Sequence, residues 1–328
     1  MKLFEDPFIV ITGGAGFIGS CLVRHLNDTG IYNLVLVDDL GSTEKWKNLV
    51  GKRFSELLPK AALFEWLHGR ESLVEAIIHL GARTDTMEKD AGYLFENNTR
   101  YSIRLAEYAM HHGQRFLYAS SAATYGDGSQ GYRDAQEALW QLEPLNAYAF
   151  SKQVFDQWLS DQGAFDRIVG LKFFNVFGPN ELHKGRMASA ISRMVPALTR
   201  GEKISLFKSS DPAHFADGEQ KRDFVYVKDV VRMITAFLQS DATGLYNIGS
   251  GRASSWNQLA RAVGLAMKKE PVIEYVDMPA DLVGKYQNYS CADLSKTVAA
   301  IGKAAESLSL EKAVQDYVQN YLLLGKKW

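Results

Sequence analysis

Short runs of uninterrupted apolar residues alternate, along the first half of the chain, with stretches in which apolar positions recur every three or four residues. Phe8-Ile9-Val10-Ile11 ends at Thr12 and a glycine cluster, and Leu34-Val35-Leu36-Val37 ends at Asp38. Runs this short and this apolar predict strands buried on both faces of a parallel sheet. Between them Phe17, Ile18, Leu22, Val23 and Leu26 fall at helical spacing, until Asn27-Asp28-Thr29-Gly30 supplies stop signals. Strand, helix and strand fit within about thirty residues, the size of one βαβ unit.

The alternation continues through Ala76-Ile77-Ile78-His79, a helix from Tyr93 to His112, and Phe116-Leu117-Tyr118 closing at Ser120-Ser121. A helix from Ala149 to Leu159 and a strand over Ile168-Val169-Gly170-Leu171 follow. Repeated β-α order predicts an α/β fold of Rossmann type, a doubly wound parallel sheet with helices on both faces. After Phe174 the rhythm breaks into a helix over Met187 to Thr199, a strand over Ile204 to Phe207 and a polar loop over Ser209 to Gln220. Phe224 to Val227 and a helix from Asp229 to Gln239 read as a return to the first domain. Asn257 to Met267 and Val272 to Tyr275 rejoin the second. Residues 1–175 and 222–248 are therefore expected to form the sheet domain. Residues 176–221 and 249–328 mainly form a smaller, interwoven α/β lobe.

Composition narrows the class. With 328 residues, 46% hydrophobic and 23% charged, the chain has material for an extensive core and is not expected to be disordered. Lys and Arg number 37 against 38 Asp and Glu, a net charge of -1, so nothing global attracts it to nucleic acid or an anionic membrane. Any anionic ligand must be held locally. Cys21 and Cys291 lie far apart, which suits a reducing compartment and ordinary packing. His79, His111, His112 and His183 show no ligand pattern, so no metal is expected. Trp140, Trp158 and Trp256 read as core or interface residues. The segment Met1 to Pro7 carries Glu5 and Asp6 and meets the glycine turn too soon for the apolar core of a signal peptide, and no run approaches a membrane span. A soluble cytoplasmic protein is the expectation.

Gly13-Gly14-Ala15-Gly16-Phe17-Ile18-Gly19 sets Gly13, Gly16 and Gly19 three residues apart between the first strand and its helix. Such glycines allow a tight turn, close backbone approach to a pyrophosphate and close helix-strand packing, with the diphosphate over the helix N-terminus. Asp38 ends the second strand 19 residues after Gly19, where a ribose-binding carboxylate belongs. Together they predict a dinucleotide site. Asp38 favours NAD, because a carboxylate repels the extra phosphate of NADP. Lys45, Lys47 and Lys60 follow soon after and either pair with that phosphate or sit on a solvated surface; the residues alone leave the choice open.

Tyr148 and Lys152 stand four apart on one face of a predicted helix. A lysine charge beside a phenol favours the phenolate, so the pair is expected to lower the tyrosine pKa and make a general base. Ser121, at the carboxyl end of its strand, is placed to hydrogen-bond an alcohol as Tyr148 removes its proton.

Glycine turn, Ser, Tyr and Lys in this order resemble the extended short-chain dehydrogenase/reductase family, particularly its nucleotide-sugar epimerases. The resemblance covers nearly the whole chain and includes Arg222-Asp223-Phe224-Val225-Tyr226-Val227. Three further blocks narrow it to the heptose epimerases of that family: Tyr118 to Gly126, Phe174-Asn175-Val176-Phe177-Gly178-Pro179, and His183-Lys184-Gly185-Arg186-Met187-Ala188-Ser189. The resemblance implies a redox-neutral epimerase of an ADP-linked heptose in lipopolysaccharide core precursor synthesis, with NADP rather than NAD and a homopentameric assembly. It implies catalytic roles for Ser121, Tyr148 and Lys152, with Lys184 as a second acid/base and cofactor contact. Asp38, Asp39, Lys45, Lys60, Leu80, Gly81, Ala82, Arg83, Thr84, Asn97 and Val176 match further cofactor positions, beside Gly13, Gly16, Phe17, Ile18 and Gly19 in the turn. Asn175, Phe207, Lys208, Ser209, Ser210, Arg222 and Tyr286 match the substrate pocket.

The sequence also departs from the family pattern. Arg186 and Arg193 stand where a small residue and a histidine are usual, and both are expected to add positive charge beside the substrate diphosphate. Arg83 and Thr84 replace small residues, and the stretch Asp211 to Gln220 is longer than the usual loop. A UDP- or dTDP-sugar 4-epimerase is the second reading. A dehydratase is disfavoured, because Ser121 is followed by Ala122 and Ala123 instead of an acid pair. A catalytically silent NADP-binding protein is the third reading, and it has no need of Ser121, Tyr148 and Lys152 together.

Overall fold

The computed structural model describes residues 7–279, 282, 284 and 286–328; the segment Met1 to Asp6, read above against a signal peptide, lies outside them. The first part of the chain forms β1 (Phe8–Thr12), α1 (Phe17–Asp28), β2 (Leu34–Val37), β3 (Glu56–Leu58), α2 (Leu63–Leu67), β4 (Val74–His79), α3 (Ala91–Leu94), α4 (Tyr101–His112), β5 (Arg115–Ser121), α5 (Ala147–Asp161) and β6 (Ile168–Phe173). There follow β7 (Asn175–Phe177), α6 (Ile191–Arg200), β8 (Ile204–Phe207), β9 (Lys221–Tyr226), α7 (Val227–Leu238), β10 (Gly244–Ile248), β11 (Ala253–Ser255), α8 (Trp256–Met267), β12 (Ile273–Val276), α9 (Ser295–Ile301) and α10 (Leu310–Tyr317).

Seven strands pair in the order β10-β6-β5-β4-β1-β2-β3, all parallel. Every residue of β1, β2, β6 and β10 is buried, as two covered faces require. One face packs α1 and α7 against Ile9, Ile11, Leu36 and Ile78. The other packs α4 and α5 against Val10, Val35, Ile77 and Phe116. Each such side chain contributes about 1.5–3 kcal/mol by leaving water. The strand order reverses beside β1, flanked by β2 and β4. The crevice at the carboxyl ends there is where an open α/β sheet receives a ligand.

Two smaller sheets complete the fold. β9 pairs with β7 in parallel and with β11 in antiparallel fashion, and β8 pairs with β12 in parallel. Phe224 to Tyr226, expected to return to the first domain, lie in β9 of a three-stranded sheet, while β10 supplies the strand that extends the large one. The helix expected over Tyr93 to His112 is interrupted by a wider π segment, Phe95–Arg100. The helix expected from Met187 begins only at Ile191, because Ser189 is drawn into hydrogen bonds with Glu181. Among the described residues no helix is long and apolar enough to cross a membrane.

Candidate active site

The glycine turn is packed too tightly for side chains. A Cβ on Gly19 would lie 2.1 Å from the Gly13 carbonyl oxygen, and one on Gly13 would lie 2.8 Å from the Gly81 backbone. No side chain caps α1 at Gly16, so its first N–H groups stay available to an anion. Phe17 and Ile18 line the adjoining cavity. Asp38 Oδ2 accepts from the Ala15 N–H at 2.9 Å, and its Oδ1 from Lys45 Nζ at 2.6 Å. Asp39 Oδ1 accepts from the Lys60 N–H, while Lys60 Nζ donates to Asn97 Oδ1 at 2.6 Å. Thus Asp38, Asp39, Lys45, Lys60 and Asn97 converge beyond the ends of β2 and β3, and the donor set fits the ribose and phosphate end of an adenine dinucleotide.

The π segment gives this region its shape. Asn98, within it, bonds both the N–H and the carbonyl of Arg83, and its amide also donates to Ser151 Oγ. This pins the backbone of Leu80 to Thr84 against α5. Leu80, Ala82 and Thr84 face the cavity, whereas the Arg83 side chain turns to Glu88 at 3.2 Å.

Asn146 caps α5 by accepting from the Ala149 N–H, so Tyr148 sits in the first turn and Lys152 one turn on. Ser121, Tyr148 and Lys152 line one cavity of about 530 Å3. The pKa relation expected of the pair is corrected by its surroundings. Lys152 Nζ donates to the Ala119 carbonyl at 2.8 Å, burial raises the Tyr148 pKa, and the Ser121 side chain offsets part of that rise. Burial in turn pushes the Lys152 ammonium down to about 8, with Asp156 opposing the shift. Asp156 belongs to a fully buried network that the sequence did not reveal. It pairs with Lys172 at 2.9 Å and accepts from Tyr118 and Ser120, while Lys172 also donates to Thr124 Oγ1. Its polar groups are therefore satisfied, and removing one partner would leave a costly orphan charge.

Lys184 reaches the same cavity from a short loop, Leu182–Met187, in which Gly185 adopts φ 55° and ψ -120°. Burial lowers the Lys184 pKa and the nearby Glu181 carboxylate opposes it. Its Nζ lies 5.8 Å from the Phe17 ring, and no carboxylate among the described residues pairs with it. Glu181 anchors the loop, accepting from the N–H and hydroxyl of Ser189 while its carbonyl accepts from the Lys184 N–H. Asn48 and Asn180 brace it further through His183 and the Ala15 carbonyl.

The expected substrate positions, together with Val176 of the expected cofactor set, divide. Asn175, Val176, Arg193, Arg222 and Tyr286 line the cavity. Arg222 is buried, its guanidinium 4.6 Å from the Tyr286 ring and donating to the Lys221 carbonyl. A salt bridge to Asp223 is not formed: that carboxylate accepts the N–H groups of Ser250, Gly251 and Ala292 instead. Phe207 lines an adjoining cavity of about 420 Å3 that shares Arg193, Trp256 and Tyr286 with the first. Trp256, read from sequence as core or interface, is thus a wall of both. Lys208 pairs with Asp277, the Ser209 N–H bonds Asp217, and the Ser210 hydroxyl bonds Asn288. Arg186 does not line the cavity; its guanidinium is taken up by Asp85 at 2.8 Å, which corrects its expected place at the diphosphate. Both cysteines are free thiols, and no metal-binding group occurs among the described residues.

A dinucleotide turn joined to a Ser, Tyr and Lys group at a sheet switch point defines a short-chain dehydrogenase/reductase type of fold. The family model described as "NAD dependent epimerase/dehydratase family" matches residues 9–249, and the chain belongs to that family. It is 47% identical over 316 residues to the ADP-L-glycero-D-manno-heptose-6-epimerase of Nitratidesulfovibrio vulgaris, covering 95% of this chain and 97% of the relative. It is 43% identical to the enzyme of the same name from Fusobacterium nucleatum, over 96% and 98% of the two chains. The crystal structure of the Helicobacter pylori ADP-L-glycero-D-manno-heptose-6-epimerase superposes with a TM-score of 0.79 at 25% identity, over 98% of this chain and 99% of that one. The chain is accordingly an isomerase of the epimerase type.

Proposed function

We propose that the chain inverts C6″ of ADP-D-glycero-D-manno-heptose to give the L-glycero epimer, through a transient 6″-ketone, in lipopolysaccharide core precursor synthesis. NADP is the proposed cofactor: Lys45 already neutralises Asp38, so the carboxylate that would repel a 2′-phosphate is offset by a cation beside it. When bound, such a cofactor would supply a reversible hydride acceptor for the carbinol carbon. Phe17, Ile18 and the glycine turn would hold the diphosphate, and Lys60, bonded to Asn97, would stand toward the ribose and phosphate end.

The observation that carries this reading is that two proton-carrying side chains, Tyr148 and Lys184, reach one cavity from separate elements. Oxidation requires the C6″ hydroxyl proton to pass to Tyr148, with Ser121 holding the oxygen. Reduction from the other face requires the ketone, in its second pose, to take a proton from Lys184. Each turnover leaves Tyr148 with one proton more and Lys184 with one fewer, and exchange with water resets both. Arg222, a buried cation facing the cavity, is suited to the substrate diphosphate. Trp140 and Phe150 stand exposed, as surfaces covered in the proposed homopentamer would in a single copy. The proposed location is the cytoplasm.

Incubation of the purified protein, loaded with NADP, with ADP-D-glycero-D-manno-heptose tests the reading. The L-glycero epimer is expected with no added reductant consumed, and its absence sinks the assignment. Tyr148→Phe should keep cofactor binding and lose at least about a hundredfold in turnover.

A further inference from the structure

Two arginines, Arg83 and Arg186, are gathered by the fold around the Asp85 carboxylate, and a third, Arg193, bonds the backbone of Arg186. Arg186 Nη2 donates to Asp85 Oδ2 at 2.8 Å, and Arg83 Nη2 lies 3.7 Å from the same oxygen. Asp85 Oδ1 accepts from the Met87 N–H, and Arg193 Nη1 donates to the Arg186 carbonyl at 3.3 Å. Asp85 stands between Thr84 and Thr86, which line the cavity; Arg186 stands between Lys184 and Met187, which line it too. The ion pair therefore crosses the cavity rim and joins the loop after β4 to the loop that carries Lys184.

Among the described residues Lys184 has no carboxylate paired with it, and its ammonium is carried into the cavity by the loop, 5.8 Å from the Phe17 ring. On one side Glu181 fixes that loop. On the other lies Gly185, whose positive φ and open surroundings leave the backbone free to swivel unless Arg186 is held. We propose that Asp85 and Arg186 are positioning residues for Lys184, their ion pair closing the rim and fixing the ammonium over the cavity. This rests on the reading of Lys184 as the second acid/base. It also assigns Arg186 to Asp85 instead of to the substrate.

The test is a double-mutant cycle of Asp85→Asn and Arg186→Met, with Arg186→Lys and Lys184→Met alongside, assayed for epimerisation of ADP-D-glycero-D-manno-heptose. Each single change should lower kcat by about threefold with KM nearly constant, the double should be no slower than either, and Arg186→Lys should recover most of the loss. Salt at about 0.5 M should bring the unaltered protein down to the variants' level and leave the variants nearly unchanged. Additive losses, unchanged kcat, or a KM rise confined to Arg186→Met would overturn the proposal; the last would return Arg186 to the substrate. Normal turnover by Lys184→Met removes the acid/base reading itself and the proposal with it. Loss of turnover there, with pair variants as fast as the unaltered protein, removes the proposal alone.

Discussion

Lys45 Nζ lies 2.6 Å from Asp38 Oδ1, so the carboxylate that ends the second strand is one half of a largely buried ion pair. A dinucleotide reaching Asp38 meets a carboxylate and an ammonium together. Lys45→Ala leaves the carboxylate unopposed. Affinity for NADP should fall about tenfold or more relative to NAD, a charge-assisted hydrogen bond being worth about 1.5–3 kcal/mol. Paired titrations of the two dinucleotides read this ratio, and an unchanged ratio removes Lys45 from the site.

A pH-rate profile separates Lys152 from Tyr148. The Lys152 ammonium is held down to about 8 by burial, while the Tyr148 phenol is raised above its ordinary value of 10. If the reactive form needs the ammonium charged and the phenol ionised, kcat/KM climbs with pH up to about 8. It then levels, because each gain in phenolate is matched by loss of ammonium. Lys152→Arg keeps its charge at all accessible pH values, so its profile, though lower, should keep rising well beyond 8. Two profiles that level at the same pH would contradict this assignment.

His79 makes the fold acid-sensitive. Its imidazole is buried between Thr12 Oγ1 at 2.6 Å and Ser102 Oγ at 2.8 Å. The Ser102 proton is committed to the Asn98 carbonyl, so Nε2 donates to Ser102 and Nδ1 accepts from Thr12. Burial, reinforced by the Lys152 and Lys60 charges, takes the His79 pKa from 6.5 to about 3. Between those values the unfolded chain binds the proton and the folded one does not. Stability from this group is therefore complete above 6.5 and lost as pH falls toward 3, up to about 5 kcal/mol. Denaturant titrations should show a slope of about 1.4 kcal/mol per pH unit in that window from this group, absent in His79→Gln. Equal slopes in the two proteins would exclude His79.

What the sequence revealed, and what it hid, follows from how each feature is encoded. β1 and β2 were legible because a strand covered on both faces is apolar along its length, β5 and β6 from the apolar runs Phe116 to Tyr118 and Ile168 to Leu171 within them, and α1 because its buried residues recur on one face. β3 was hidden, since it has three residues and exposes Glu56. The π segment was hidden because it alters hydrogen bonding without altering the apolar spacing of Tyr93 to His112. Ser121, Tyr148 and Lys152 could be read from spacing, but not the Lys152 bond to the Ala119 carbonyl, which depends on how β5 and α5 pack. Likewise Asp156 with Lys172, and Asp85 with Arg186, are tertiary pairs, the latter 101 residues apart. Nothing local marks either carboxylate as special.

In the proposed reaction C6″ is inverted by removing its hydrogen and restoring the same hydrogen to the opposite face. Substrate carrying deuterium at C6″, turned over in ordinary water and examined by NMR and mass spectrometry, tests it directly. Retention of the deuterium at C6″ of the L-glycero product is the predicted result. Epimerisation with the label washed out to solvent would show that the carbon is deprotonated instead, and would rule out inversion by hydride removal and return.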